Sequence, residues 1–348
     1  MTAQKPELSR GGLHIRMEDV ARTAKVSRAT VSRVLVGHPP VSENTRKKVL
    51  DAVHELGYVP NLLAQQLSGS SSNLVGLLLR DPRNPAYGLL HSSIQEAASD
   101  TDMELITAVP HWQEGAQDEL AALRRLLGLR VGGLLVSTGV VKATDLVPFL
   151  ANVPVVSVGR VEEHPGIYGV SYDEVAHGRM LADAVAEAGH RSVAVVVPDV
   201  SVSTAEHTRA SSMVQRLTGR GVDVAAIETS KFGHSADGIE QILGLARAGR
   251  VTAAMFPNDL RALKFLAAAK EAGISVPAEL SVTGCDGSAP GLDLIGLCTV
   301  KIPVNAVAAR GLEVLKQLMS GSTRLDIKHE KHSGELVPGP TLCSPPTA

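Results

Sequence analysis

The 348-residue chain contains little of what disulfide-stabilised, metal-binding or membrane proteins depend on. Its three cysteines, Cys285, Cys298 and Cys343, are odd in number and far apart, which favours neither a disulfide framework nor a zinc site. No run of about 18 apolar residues occurs, so no membrane span is expected. The polar residues 1–12 lack the apolar core of a secretory signal. We therefore expect a cytoplasmic protein that needs no metal or other cofactor.

Motifs typical of several enzyme classes are also missing. The sequence has no GxGxxG, no Walker loop and no GxSxG. His329 and His332 are three residues apart, but they lie in a charged segment near the C-terminus and are interpreted as solvated. These absences argue against an enzyme.

Charge is scarce overall but unevenly distributed. The net charge is -2, yet residues 1–72 contain ten Lys or Arg against six Asp or Glu, which leaves a net -6 for the remainder. A basic head on an acidic body suits binding of a polyanion at one end only.

Three short helices are predicted in the head. Apolar residues recur at helical spacing over Met17–Ala24, over Arg28–Leu35 and over the stretch that ends at Leu56. Ser27 and Ser42 are placed to cap the second and third helices, and Gly57 is a typical C-terminal stop. The apolar faces can be buried only against one another, which predicts a compact helix-turn-helix unit.

After the head, short apolar runs alternate with amphipathic segments. Alternation of this kind predicts parallel sheets covered by helices on both faces, and the number of units predicts two lobes that divide near Ser171. Ligands in such folds bind beyond the carboxyl ends of the strands. The predicted strands are Leu74–Leu79, Glu104–Val109, Gly133–Val136, Val155–Val158, Ser192–Val197, Val224–Ile227, Ala253–Phe256 and Ser281–Gly284.

These patterns predict four parts along the chain. They are a flexible arm (1–14), a helix-turn-helix domain (15–60), a hinge helix and linker (61–73) and an α/β domain (74–348). Within the last, one lobe is predicted from about 74–171 plus 300–310, and the other from 172–298 plus 311–348.

The head resembles the lactose-repressor (LacI/GalR) family, whose pattern DVA-x-x-A-x-VS-x-x-TVSRVL matches residues 19–35. The likeness continues through Val41-Ser42, Leu56-Gly57-Tyr58 and Ala64-Gln65-Gln66-Leu67. It implies a homodimer, or a tetramer, that binds palindromic operator DNA and a small-molecule effector, with a sugar or sugar derivative expected first. The fold implied is a helical head on a two-lobed domain like periplasmic sugar-binding proteins.

The second helix is predicted to lie in the DNA major groove, with Val31, Val34 and Leu35 buried behind it. Its outer face carries Arg28, Ala29, Ser32 and Arg33. By resemblance, Arg28, Ala29 and Arg33 read bases, while Ser27, Ser42 and Thr45 contact phosphates. Helix capping alone is the alternative for Ser27 and Ser42, and a solvated surface charge is the alternative for Arg33. Val36 departs from the frequent Asn of the family.

Leu67 ends the segment that resembles the family's hinge helix. In that family the hinge folds on DNA and inserts a leucine into the minor groove, which unstacks a base step and kinks the duplex. Without the resemblance, Leu67 would be interpreted as a linker residue.

Seven positions resemble the family's effector pocket or lie where a pocket residue is expected. Charged groups and aromatic rings at these positions suit a polyhydroxylated ligand. They are Tyr87, Trp112, Asp173, Arg209, Phe232, Asn258 and Asp286. Alternatives are open: Phe232 as a core residue, Arg209 paired with an acidic neighbour, Trp112 outside the cleft, and Asp259 as a helix cap.

Several departures leave the effector open. Ser212-Met213 replaces Gly-Phe, Pro257 precedes Asn258, and Gly287 follows Asp286 where a polar residue is common. A nucleobase or nucleoside effector is therefore kept as an alternative. A plain small-molecule-binding protein is a further alternative, which the head and the absent signal peptide argue against.

Overall fold

The computed structural model describes residues 15–36, 41–59, 72–110, 116–138, 140–229, 238–321 and 326–346. Its contacts divide the chain into two compact units, residues 1–72 and 73–348. We describe each unit by itself.

The first unit is a three-helix bundle made of α1 (Met17–Ala24), α2 (Arg28–Val36) and α3 (Glu43–Leu56). Its small core is formed by the apolar stripes of all three helices and includes Val20, Val31 and Val49, none of them measurably exposed. Gly57 ends α3 in the left-handed conformation (φ 63°), which costs a residue without Cβ little. The predicted helical head is therefore confirmed.

The second unit begins with a six-stranded parallel sheet in the order β11-β5-β4-β3-β1-β2. Apolar residues dominate its central strands because helices cover both faces. We call this sheet and the helices on it the first lobe. Its strands are β1 (Leu74–Leu79), β2 (Glu104–Ala108), β3 (Gly133–Ser137), β4 (Val155–Val158), β5 (Tyr168–Tyr172) and β11 (His329–His332).

A four-stranded parallel sheet in the order β7-β6-β8-β9 forms the second lobe. Its strands are β6 (Ser192–Pro198), β7 (Asp223–Thr229), β8 (Ala253–Met255) and β9 (Ser281–Thr283). A separate antiparallel pair consists of β10 (Thr299–Lys301) and β12 (Glu335–Val337). The α/β class with parallel sheets is thus as predicted.

Helices of the second unit connect these strands. They are α4 (Pro85–Ser99), α5 (Ala116–Gly128), α6 (Ala143–Leu150), α7 (Glu174–Glu187), α8 (Thr204–Gly219), α9 (Ile239–Arg247), α10 (Asp259–Glu271), α11 (Leu292–Ile295) and α12 (Val304–Ser320). None of the helices in the described ranges combines the length and apolar character needed to cross a bilayer.

The C-terminal part is distributed between the lobes differently from the prediction. Residues 311–348 were assigned to the second lobe, but α12 runs unbroken to Ser320 and packs on the first sheet. Gly311 and Gly133 allow this close approach, since a Cβ on Gly311 would lie 2.7 Å from Val158 and one on Gly133 2.8 Å from Leu315. The chain then returns to the first sheet as β11.

The sequence patterns missed β11 because it is a polar edge strand, His329-Glu330-Lys331-His332. The two histidines lie in this strand, where His329 is exposed as predicted and His332 is half-buried. Nε2 of His329 lies 3.1 Å from the carbonyl oxygens of His164 and Ile167. Edge strands with charged side chains are a common protection against unwanted strand pairing.

An ion-pair cluster holds β11 against α12. Nε and Nη2 of Arg310 donate to the Glu330 carboxylate at 3.0 and 2.9 Å, and Nη2 also donates to the Tyr168 hydroxyl at 3.2 Å. The hydrogen bonds that Glu330 accepts from Arg310 and from the Tyr168 hydroxyl lower its pKa from 4.5 to about 2. The cluster therefore stabilises the fold most where Glu330 is ionised.

We expect Glu330→Gln to lower the free energy of unfolding by about 1 to 2 kcal/mol at pH 7, after allowance for solvent screening. The folded pKa lies below the unfolded one, so this contribution is complete above about pH 5 and is lost as the pH falls towards 2. Chemical denaturation at pH 7 and pH 2.5 measures it. Glu335→Gln, at an exposed position on β12, is the control. An equal loss for Glu330→Gln at both pH values would contradict the prediction.

Candidate functional site

The outer face of α2 is the candidate nucleic-acid surface of the first unit. Arg28, Ala29 and Arg33 are exposed and Ser32 is half-buried, whereas Val31 and Val34 face the helical core. The structure thus separates the predicted base readers from the core residues of the same helix. Short side chains and two arginines on one helical face fit a major groove.

Ser27 and Ser42 both cap helices. Oγ of Ser27 accepts from the backbone nitrogen of Thr30 at 3.1 Å, and Oγ of Ser42 accepts from that of Thr45 at 3.3 Å. Each serine hydroxyl also lies 2.9 Å from the threonine hydroxyl. Both serines are exposed, so capping leaves their hydroxyls beside solvent.

The two arginines of α2 differ in their surroundings. Arg28 forms an exposed ion pair with Glu18, with Nη1 3.2 Å from the carboxylate. Within the described ranges no hydrogen bond or ion pair holds Arg33.

Leu67, Trp112 and Phe232 lie outside the described residues, so their predicted roles stay predictions.

A pocket between the two lobes is the candidate small-molecule site of the second unit. We call it the inner pocket. From the first lobe it is lined by Asn84, Ala86, Tyr87, Leu90, Ser137, Gly159 and Tyr172, and across the cleft by Glu174, Ser203, Ala205, Glu206, Arg209, Asn258, Asp286 and Ile302. Of the predicted pocket residues, Tyr87, Arg209, Asn258 and Asp286 are brought together here.

Arg209 is the centre of the inner pocket. It is 3% exposed, and its Nε donates to Glu174 at 2.7 Å while Nη1 donates to Asp286 at 3.0 Å. Nη1 also donates to the carbonyl oxygen of Pro257. Arg209 therefore pairs with two acidic residues, as the alternative interpretation allowed, and both of them line the same pocket.

Burial and charge act in opposite directions on these carboxyls. Burial, with Asp259, Glu206 and Glu174 nearby, raises the pKa of Asp286 well above its usual value despite Arg209. Burial also opposes ionisation of Glu174, but the charge of Arg209 together with the interactions of His177 and the Arg209 hydrogen bond outweighs it, so the pKa of Glu174 is lowered. The pocket thus combines one carboxylate that favours ionisation with one that resists it.

The loop that carries Asp286 has an unusual backbone. Asp286 has φ 125°, a conformation that residues with a side chain rarely adopt. Gly287 follows with φ 62°, and a Cβ there would lie 2.5 Å from Cα of Lys301. The glycine that replaces the family's polar residue is thus required by close packing.

Asp259 ties this loop to α10. Its carboxylate accepts from the backbone nitrogen of Gly287 and from the hydroxyl of Thr299, both at 2.6 Å. The cap of α10 is Asn258, whose side chain accepts from the nitrogen of Arg261 at 2.8 Å. The helix-cap alternative for Asp259 is therefore wrong, because the preceding residue caps the helix.

Asp173 lies beside the pocket rather than in its lining. Its carboxylate caps α7 by accepting from the nitrogen of Ala176 at 2.9 Å. Glu174, one residue later, is the side chain that faces Arg209. The assignment of Asp173 to the pocket is therefore replaced by Glu174, because the cap turns the two side chains in different directions.

Among the lining residues that the sequence patterns missed, four matter for the chemistry of the pocket: Ser137, Tyr172, Glu174 and Glu206. Ser137 directly follows the predicted strand Gly133–Val136, so a search at the carboxyl ends of predicted strands could have found it. Tyr172 ends β5, a strand that was not predicted. Glu206 lies in the first turn of α8, one turn before Arg209, and shares its helical face.

His177 connects the pocket to a crossing between the lobes. Its Nε2 accepts from the backbone nitrogen of Gly334 at 2.8 Å, so the ring proton must sit on Nδ1. Nδ1 lies 3.6 Å from Oε2 of Glu174. Gly334 joins β11 to β12, and a Cβ there would strike the carbonyl oxygen of Lys301. Glu174 and the chain crossing thus contact opposite sides of one buried ring.

Close packing of α7 on α8 brings Glu174 and Arg209 together. Gly178 makes it possible, since a Cβ there would lie 2.9 Å from Cβ of Ser212 and would clash with the backbone oxygen of Arg209. Ser212 adds a hydrogen bond at 2.9 Å to the oxygen of Val175, which gives a role to one departure from the family pattern.

We expect Gly178→Ala to destabilise the second unit by about 1 to 3 kcal/mol, because the helices must separate to admit the methyl group. Gly244→Ala in α9 is the matched control. Its Cβ meets nothing within 4 Å, so the change should be neutral or stabilising by about 0.5 to 1 kcal/mol. Thermal denaturation of the two variants measures the contrast, and a Gly178→Ala variant as stable as the wild type would contradict it.

Comparison with known proteins assigns both units to known families. Residues 16–61 match the model of bacterial regulatory proteins of the lacI family, and residues 182–342 match the periplasmic binding protein-like domain. The lactose operon repressor of Escherichia coli is 27% identical over 340 residues, covering 95% of this chain and 93% of the repressor. The chain belongs to the lacI family. It is a DNA-binding transcriptional regulator.

Further relatives agree with this membership. Catabolite control protein A of Priestia megaterium is 29% identical over 279 residues, covering 79% of this chain and 83% of that protein. The crystal structure of the lac repressor dimer bound to operator and an anti-inducer has a TM-score of 0.80 at 26% identity, covering 94% of this chain and 99% of that one. These relatives of the lacI-family regulator are themselves transcriptional regulators and not enzymes.

Proposed function

We propose that this regulator is a repressor that binds a palindromic operator as a homodimer and is controlled by a small polyhydroxylated effector in the inner pocket. The observation that carries the proposal is the buried group of Arg209, Glu174 and Asp286 between the two lobes. Genes of carbohydrate uptake or breakdown are the expected targets.

The head supplies the operator contacts. Arg28, Ala29 and Arg33 are proposed to read bases, with Ser32 beside them and Ser27, Ser42 and Thr45 on phosphates. Exposure of the α2 face and the major-groove code for arginine support this assignment. A dimer places two such heads on two half-sites, as expected for a two-fold symmetric operator.

The pocket supplies the effector contacts. Carboxylates accept hydrogen bonds from hydroxyl groups, the amide of Asn258 can donate and accept, and the ring of Tyr87 can cover an apolar sugar face. An effector changes repression only to the extent that it binds one arrangement of the lobes better than another. A cytoplasmic location is proposed with this function.

Binding selection from random duplexes, followed by titration of the complex with effector candidates, tests the proposal. We expect a roughly palindromic sequence to be enriched, and a sugar that raises the thermal stability of the protein to change operator affinity. Selection of no sequence would contradict specific operator binding. A sugar that binds without any change in operator affinity would contradict allosteric control.

A further inference from the structure

The inner pocket is lined by more acidic than basic side chains. Three carboxyl groups line it, those of Glu174, Glu206 and Asp286, whereas Arg209 is the one cation among the described lining residues. Coulomb interactions are strong in such a partly buried place because water screens them little. The charge of a ligand group that enters the pocket therefore strongly affects its binding affinity.

Arg209 offers little to an anionic ligand. Nε and Nη2 bond Glu174 at 2.7 Å each, and Nη1 bonds Asp286 at 3.0 Å as well as the oxygen of Pro257. A ligand carboxylate or phosphate would have to displace a buried carboxylate from this guanidinium and leave that carboxylate unpaired. Such an exchange is unfavourable because unpaired buried charges are costly.

Glu206 completes the acidic side of the pocket. Its Oε2 accepts from Nε of Arg261 at 2.9 Å, and no described residue bonds its Oε1. The side chain is 17% exposed and lies close enough to Tyr87 and Asp286 to raise the pKa of both groups, although burial is the larger cause in each. Glu206 thus offers the pocket a carboxylate oxygen and no donor.

Ser137 gives an independent indication of a ligand. Its hydroxyl group is buried, with 1% of the residue exposed, and has no hydrogen-bond partner within the described ranges. Ser137 lines the inner pocket at the end of β3. Buried hydroxyls are nearly always paired, so one that faces a pocket marks a place for a ligand's polar group.

We propose that the effector enters the inner pocket with an uncharged, hydroxyl-rich end, and that Glu206 excludes analogues that carry a carboxylate or phosphate at that end. The inference rests on the proposed function and deepens it by naming the charge of the ligand and the residue that selects it. Acceptor oxygens of Glu206 and Asp286 and the hydroxyl of Ser137 then pair with the ligand's hydroxyl groups.

The outer part of the cleft differs in charge. A space of about 580 Å³, here called the outer cleft, shares Tyr87, Ser137, Gly159 and Ala205 with the inner pocket. It is also lined by Lys142 and Arg160. An anionic group that points outward would meet the exposed Lys142 instead of Glu206, whereas Arg160 is already paired with Glu162 at 3.1 Å. The selectivity for an uncharged group is therefore confined to the buried end of the effector.

The test compares parent sugars with their own acids. The probes are common pentoses and hexoses, each as the neutral sugar, the uronic acid and the phosphate, measured by thermal shift and then by calorimetry on the full-length protein. The variants are Glu206→Gln, which keeps an oxygen for Arg261, and the control Glu240→Gln at an exposed position on α9.

For the sugar that binds, we expect wild-type affinity at least tenfold higher than for either acid. In Glu206→Gln this ratio should fall at least threefold, and in Glu240→Gln it should stay unchanged. An acid that binds wild-type protein as tightly as its parent sugar, or a ratio unaffected by Glu206→Gln, overturns the inference while the sugar effector stands. If none of the probes binds, the sugar effector itself fails and the inference fails with it.

Discussion

Arg209→Met will lower the stability of the second unit by about 3 to 5 kcal/mol at pH 7 and abolish the response of operator binding to effector. The change leaves the carboxylates of Glu174 and Asp286 buried without their shared cation, and uncompensated buried charge is among the largest costs a single substitution creates. Removal of a nearby positive charge also raises the pKa of Glu174. Protonation of these two carboxyls relieves the repulsion, so the difference from wild type becomes smaller as the pH falls.

Arg216→Met on the same helix is the matched control. Arg216 is 45% exposed and pairs with Asp183 at 2.8 Å, so its loss should cost less than about 1 kcal/mol. Denaturation at pH 7 and pH 5 measures both variants. If Arg209→Met and Arg216→Met cost the same, Arg209 does not hold the pocket. Adding Glu174→Gln and Asp286→Asn to Arg209→Met should restore part of the stability but not the response.

The second large effect is expected at the head. Arg33→Ala should weaken binding to the selected operator about 10- to 100-fold and relax the base preference at one position of each half-site, as loss of a bidentate arginine–guanine contact does. Affinity for random DNA should fall much less, since phosphate contacts supply non-specific binding.

Arg22→Ala is the control for Arg33. Arg22 lies on α1, is 78% exposed and pairs with Asp19 at 2.9 Å. Its replacement should change operator and random-sequence affinity by similar factors. Quantitative gel-shift titrations at one fixed salt concentration give both ratios. Equal losses on both DNAs for Arg33→Ala would assign that residue to the phosphate backbone instead of a base.

Local patterns were enough to predict the head. Its three helices are short, each has an apolar stripe, and Ser27, Ser42 and Gly57 mark their ends, so no distant contact is needed to define them. The central strands β1, β3 and β4 of the first sheet and β6 and β8 of the second were found for a similar reason, because strands buried on two faces are continuously apolar. Strand β5 was missed although it is buried, since its sequence YGVSY is not continuously apolar.

Long-range contacts decided what was missed. Strand β11 is polar along its length and becomes a strand only because β5 offers it an open edge. Glu174 and Asp173 are adjacent, and only the cap of α7 decides which of them faces Arg209. The unpaired hydroxyl of Ser137 is a property of packing and leaves no mark in sequence.

Because His177 lies between Glu174 and Gly334, it connects the inner pocket to the chain crossing between the lobes. A ligand that displaces Glu174 removes the charge that lies 3.6 Å from Nδ1 of a ring hydrogen-bonded to the chain crossing between the lobes, so we expect ligand binding and the angle of the lobes to be energetically coupled. Coupling of this kind is reciprocal. If a bound effector shifts the equilibrium between two lobe angles by some factor, then fixing the favoured angle raises the affinity for the effector by the same factor.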